Sequence, residues 1–354
     1  MLQLHHKLLP VLLAVVCLGL YLTQITHASL LGDAEPQPIP SESTVVFAQN
    51  MEKAHAGDAR AMFIAGVMYA TGNQVAKDIP QAVNWYRKAV DAGDTMAMFN
   101  LALMYQSGDG MAKDLDHAIA LYQRAADAGY APAMCNLGLV YIRGDAGDRD
   151  TQKGIQWLTK AAQADDSLAM TILGAMYAHG MGVKKDSGKA VKWYRKAVEY
   201  EQPRAMFGLA YAYKHGEGVW KSSKKALYWY QKAADAGLPD AMLKMAEDCY
   251  FKKDYDAAMS WYMKAANQGS AAAMYNIAVF YDKGRGVAQD SALALQWYHK
   301  AIEAGSPDAK YNLAVKYFQG DGVRKDDSKG MQLLNEAAGE GSLPAIKAVS
   351  QLKH

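Results

Sequence analysis

Five segments of the chain carry two glycines one residue apart, followed by a short polar run: GDGMAKD at 108–114, GMGVKKD at 180–186, GEGVWKS at 216–222, GRGVAQD at 284–290 and GDGVRKD at 320–326. Glycine-rich turns can aim backbone N–H groups at a phosphate, with a lysine supplying charge. A loop of that kind follows a strand, opens one helix and ends in G-K-[ST]. These loops lack that ending and return at a fixed spacing, so they read as turns between helices. Ser222-x-x-Lys225 and Ser350-x-x-Lys353 fit the S-x-x-K pattern of serine acyl-enzymes. Neither K-T-G nor S-D-N accompanies them, and they are not read as catalytic. Of nine histidines, His5, His6 and His27 lie near the start. His179 and His215 hold the same register in adjacent repeats, which predicts a separation of roughly 10 Å. A zinc site needs three or four ligands, and no H-E-x-x-H or cysteine cluster supplies them. No catalytic residue, metal or cofactor is expected.

What positions these residues is a period. The alanine of an A-M pair or its equivalent stands at Ala61, Ala97, Ala133, Ala169, Ala205, Ala241, Ala273, Ala309 and Ala345. The step is 36 residues, except for one of 32 between Ala241 and Ala273. Self-similarity at this period marks a solenoid, here of eight repeats. Each repeat holds two helical patterns. In the second, Ala97, Leu101, Met104 and Tyr105 make one apolar stripe, and the glycines of GDG stop it. A second helix starts after Asp114, an N-cap, turns Ala118, Leu121, Tyr122 and Ala125 inward, and ends at Gly129. The recurring Trp-Tyr pair (Trp85-Tyr86 to Trp297-Tyr298) and the tyrosines at Tyr69, Tyr105, Tyr141, Tyr177, Tyr213, Tyr281 and Tyr317 read as repeated core. Three repeats depart: the sixth lacks four residues at its turn, the third has GDAGDRDTQKG, and the eighth has Leu333-Leu334 for Trp-Tyr.

Half of the chain is apolar and charged residues make up 21%, with a formal net charge of +2. That balance offers no basic stripe for nucleic acid, and no Lys/Arg run is long enough to argue a basic face. Lys7, an apolar run over 8–22 and the small Ala28 before Ser29 have the order of a secretory signal. The run is shorter than the roughly 20 residues a spanning helix needs. The expected organisation is a signal peptide at 1–28 (or an uncleaved anchor), a flexible proline-bearing linker at 29–43, an N-terminal capping helix at 44–56, eight repeats over 57–343 and a C-terminal capping helix at 344–354. The expected location is periplasmic or secreted, with anchoring in the inner membrane as the alternative. Membrane contact would come only through an uncleaved N-terminal segment. Cys17 falls in the signal, and Cys135 and Cys249, three repeats apart, are read as buried apolar residues without a disulfide.

A binding face is the remaining candidate. Counted from the aligned alanine, position +3 is Asn100, Asn136, Asn276 and Asn312, and Lys244 in the sixth repeat. Positions +7 and +10 share its helix face: Met104 and Ser107, Met176 and His179, Phe280 and Lys283, and Lys316. Tyr211 and His215 extend the set in the fifth repeat. Asparagine offers a donor and an acceptor, which suits clasping a partner's backbone. It equally suits a hydrogen bond between repeats that sets their stacking, and both readings stay open.

The pattern A-M-x-N-L-A-x-M-Y-x-x-G-x-G-V-x-x-D, then x-A-x-x-W-Y-x-K-A-A-x-x-G, resembles the Sel1-like repeat family, relatives of tetratricopeptide arrays. The segment AMYNIAVFYDKGRGVAQDSALALQWYHKAIEAG at 273–305 matches it nearly position for position. The resemblance implies an all-α superhelix whose first helices line a concave face that takes a protein or peptide. It implies a non-enzymatic scaffold, with envelope functions among exported members. A cysteine-rich subfamily linked to penicillin binding carries a cysteine pair in each repeat, and this chain lacks those pairs. The runner-up is an envelope enzyme acting on peptidoglycan or β-lactam-like substrates.

Overall fold

The computed structural model describes residues 41–145, 147 and 149–352. The expected signal segment and most of the linker lie outside them. The described residues form 18 α-helices and no strand. They belong to two compact units that meet in sequence between Tyr200 and Glu201.

In the first unit a leading helix, α1 (Ser41–His55), precedes four helix pairs. These are α2 (Ala59–Thr71) with α3 (Ile79–Asp91), α4 (Thr95–Ser107) with α5 (Leu115–Asp127), α6 (Ala131–Arg143) with α7 (Thr151–Gln163), and α8 (Ser167–His179) with α9 (Ser187–Val198). The second unit holds α10 (Pro203–His215) with α11 (Ser223–Asp235), α12 (Pro239–Phe251) with α13 (Tyr255–Asn267), α14 (Ala271–Lys283) with α15 (Ser291–Glu303), and α16 (Pro307–Gln319) with α17 (Asp327–Gly339). The closing helix is α18 (Leu343–Leu352). Each first helix packs most extensively on the second helix of its own repeat, and within each unit each second helix packs next on the first helix that follows it. The aligned alanines from Ala97 to Ala345 have no exposed surface, which is what lets the helices approach this closely.

Local chemistry accounts for the helix ends. Asp78, Asp114, Asp150, Asp186, Asp254, Asp290 and Asp326 cap the second helices, each carboxylate accepting the backbone N–H three residues on. Ser222 does the same for α11. The amide of the cap residue also reaches back to the carbonyl of the tyrosine that closes the first helix, as in Asp114 to Tyr105 and Asp290 to Tyr281 at 2.9 and 3.0 Å.

The two glycines of each turn do different jobs. The first closes the helix in the left-handed region, its N–H donating to the carbonyl four residues back, as Gly108 does to Met104 at 2.8 Å. The second seats the turn on the preceding repeat. A Cβ on Gly110 would stand 2.0 Å from Ile79 Cγ2, one on Gly182 2.2 Å from Thr151 Cγ2, and one on Gly286 2.4 Å from Tyr255 Cβ. The turns of Gly110, Gly182 and Gly286 are thus tongues, each lying on the first turn of the second helix before it. The sixth repeat makes no such tongue: α12 ends at Phe251 and only Lys252 and Lys253 separate it from the Asp254 cap.

Candidate functional site

The candidate face falls apart into three groups once burial is known. Met104, Asn136, Met176, Phe280 and Lys316 are buried. They cannot be presented to a partner, which corrects their assignment to the binding face. Position +7 points into the stack, where Phe280 sits edge-on to Tyr262 with ring centroids 5.5 Å apart. Asn100, Lys244, Asn276 and Asn312 are half-buried. Ser107, His179, Tyr211, His215 and Lys283 are exposed.

The asparagines show where the +3 position is used. Asn136 Nδ2 donates to the Tyr122 hydroxyl at 3.3 Å, and Asn312 Nδ2 to the Tyr298 hydroxyl at 3.1 Å and that of Tyr275 at 3.3 Å. Asn100 likewise hydrogen-bonds Tyr86. In each case the asparagine begins one repeat and Tyr86, Tyr122 or Tyr298 belongs to the second helix of the repeat before. The bond gives a buried phenol oxygen a donor, and the Tyr122 hydroxyl in turn donates to Gln106 Oε1 at 2.7 Å. Burial pushes the Tyr86 hydroxyl up to about 12, against the smaller opposing pull of Asn100, and raises those of Tyr122 and Tyr298 as well. Asn276 breaks the pattern: its Nδ2 bonds the Ala272 carbonyl of its own helix at 2.8 Å.

Lys316 serves a different end. Its ammonium bonds Asp282 on α14 and Asp321 in the following turn, the latter at 2.8 Å, and Asp282 also pairs with Lys283 at 2.9 Å. This buried ionic cluster ties the last two repeats together. Nothing in a single helical register announces it, because Asp282 and Lys316 come from different repeats.

What stays available is the set of exposed helix ends. Tyr211 and His215 stack with ring centroids 4.2 Å apart at the end of α10, while Lys244 pairs with Glu247 at 2.8 Å on α12. His179 ends α8 in the first unit and His215 ends α10 in the second. Among the described residues no group of three or more His, Cys, Asp or Glu could hold a metal ion. Cys135 and Cys249 are free thiols, the first buried and the second half-buried. Burial holds the Cys135 thiol well above its ordinary value, with Asp166 beside it adding to the effect.

The S-x-x-K serines have structural employment. Ser222 Oγ accepts the Lys225 N–H at 3.3 Å as a helix cap, and Ser350 Oγ donates to the Lys347 carbonyl at 2.8 Å. Ser222→Ala should lower stability by about 1 kcal/mol, the usual worth of a cap. In a fluorescent-penicillin gel both wild type and variant should stay unlabelled. Label on the wild type that vanishes in the variant would make Ser222 a nucleophile.

Comparison with known proteins agrees with this geometry. The Sel1 repeat family profile matches eight consecutive stretches, 59–94, 95–130, 131–166, 167–199, 203–238, 239–270, 271–306 and 307–342. The fold is similar to that of c5321, a protective antigen present in uropathogenic Escherichia coli strains and displaying an SLR fold, at 31% identity and a TM-score of 0.66. That similarity covers 84% of this chain and 65% of c5321, so the chain spans about two thirds of that protein's length. It is also similar to a Sel1 repeat protein from Oxalobacter formigenes, at 29% identity and a TM-score of 0.64, over 92% of this chain and 99% of the other. No curated protein gives a match. Eight matched stretches, laid end to end over helix pairs of the same period, make this chain a member of the Sel1 repeat family.

Proposed function

We propose that this chain is an exported, non-enzymatic scaffold that binds a protein or peptide along the first helices of its repeats, in the bacterial envelope or outside the cell. Sel1 repeats commonly mediate protein–protein interaction, and the fold here is such a scaffold. The observation that carries the reading is the division of labour on the first helices. Their alanines, tyrosine-bonded asparagines and +7 residues are consumed by stacking, while the exposed ends differ from repeat to repeat: Ser107, His179, Tyr211 with His215, and Lys283. A uniform stack bearing non-uniform tips is what selective recognition of an extended partner needs. The helices are already held in place, so little ordering entropy is lost on binding. Export is supported by the signal-like order of residues 7–29 and by the likeness to a protective antigen.

The test is affinity capture from an envelope extract. Tyr211→Ala/His215→Ala should reduce recovery of the wild-type partner at least about tenfold, as loss of an aromatic anchor does. Glu303→Ala, an exposed change on a second helix, should leave it intact. Equal recovery by all three proteins, with unchanged melting, would end the reading. Mass analysis of the exported protein should show a start near Ser29.

A further inference from the structure

The sixth repeat's missing tongue leaves part of its neighbour bare. Where a tongue is present, the first residue of the second helix beneath it is half-buried, as at Ile79, Thr151, Tyr255 and Ser291. The equivalent Ser223 of α11 is exposed, and so are Lys224 and Lys225 beside it.

The uncovered edge is not blunted in the way an incidental gap would be. Trp220 occupies the turn position held by Ala76, Ala112, Ala288 or Arg324 elsewhere, and its indole is 95% exposed. Phe251, at the end of α12 where the tongue would begin, is 81% exposed. Tyr228, in the second turn of α11, is 53% exposed. Residues 214–232 hold Lys214, Lys221, Lys224, Lys225 and Lys232 against Glu217 alone. The cap at this one turn is Ser222 where the other turns have aspartate, which removes a negative charge beside Trp220. Lys252 and Lys253 follow Phe251, the first paired with Asp248 at 2.6 Å.

We propose that this edge, formed by the turn at 216–222, the start of α11 and the end of α12, docks on an anionic lipid bilayer. Trp220 and Phe251 enter the headgroup zone and Lys221, Lys224 and Lys225 face the lipid phosphates. Two features favour a bilayer over a peptide. The aromatic rings project and do not line a hollow, whereas a peptide-binding aromatic is normally sunk in a pocket. Tryptophan with flanking lysines also matches the wet and dry halves of a membrane interface, where an amphipathic ring and a basic side chain are each at home. The lysines fall in one short stretch, Lys221 in the turn and Lys224 and Lys225 in the first turn of α11. This contact is separate from the N-terminal segment and does not depend on the partner face proposed above.

The experiment is co-sedimentation of the full chain with vesicles of phosphatidylcholine alone or mixed with phosphatidylglycerol. Every protein compared carries the same N-terminal residues, so differences belong to the edge. Wild type should bind the mixed vesicles more tightly. Lys221→Gln/Lys224→Gln/Lys225→Gln should weaken that binding by about 100-fold, at roughly fivefold for each lysine near the surface. Brominated lipid should quench wild-type emission more than that of Trp220→Phe. Because the changed side chains are exposed, far-UV circular dichroism should be unchanged. Equal partitioning of wild type and the triple variant would overturn the proposal, as would absence of the Trp220-dependent quenching. Binding of poly-glutamate or DNA that depends on Trp220, without vesicle binding, would assign the edge to a different polyanion and overturn it too.

Discussion

Lys316→Met should lower stability by about 3–5 kcal/mol, because it strands Asp282 in a buried position without its main counter-ion. Removing both charges, as Lys316→Met with Asp282→Leu, should restore most of the loss. What is costly is a buried charge left alone, and an apolar pair of similar volume has no such charge. Urea titration of the four proteins in a double-mutant cycle measures the coupling. The pH dependence follows from the two groups. Burial pushes the Asp282 carboxyl up, but hydrogen bonds from Lys316 and Lys283 outweigh it and hold the group below the ordinary 3.8. Its contribution is therefore present above that value and lost as pH falls through the folded-state value. Burial pulls the Lys316 ammonium down, and the bonds to Asp282 and Asp321 outweigh that to hold it above 10.5. Its contribution is present below 10.5 and lost as pH rises past the folded-state value. The deficit of Lys316→Met should thus be greatest between these limits and shrink in acid. A deficit independent of pH would point to packing and not charge.

Gly286→Ala should cost about 2–4 kcal/mol, the sum of two penalties. Gly286 has φ +68, a conformation that costs a side-chain-bearing residue roughly 1–2 kcal/mol. The new Cβ would also sit 2.4 Å from Tyr255 Cβ and 3.3 Å from its carbonyl carbon, so the tongue must lift off the sixth repeat. Gly93→Ala separates the two penalties: φ is +89, but nothing lies within 4 Å of its Cβ position. It should cost about 1–2 kcal/mol, the backbone share alone. Chemical melts of the two variants give the difference. Equal costs would mean that the tongue contributes nothing through its seat on Tyr255.

The features legible in the sequence are those that recur within one repeat. The alanine spacing, the inward Tyr122, the glycine stop at Gly108 and the Asp114 cap all follow from a single helical register and are found where that register places them. What escapes is anything made between repeats. Position +7 looks like the same open face as +3 until the neighbouring helices are in place, and then Met104, Met176 and Phe280 are inside. Tyr298 and Asn312 are 14 residues apart and Asp282 and Lys316 are 34 apart, on separate helices, and no periodicity argument joins them. The edge escaped for the same reason: Lys221, Lys224 and Lys225 stand close together in the sequence, but Phe251 belongs to the next repeat. The short turn of the sixth repeat was visible as a deletion, but its effect falls on the fifth repeat, where the tongue's absence exposes Ser223.

Because helices pack chiefly on the helices next to them in the chain, a 36-residue cassette can be added or deleted while disturbing little beyond the two seams it touches. Reach is then adjustable independently of what each tip recognises. A lineage can lengthen or shorten such an array by duplication without re-solving its interior.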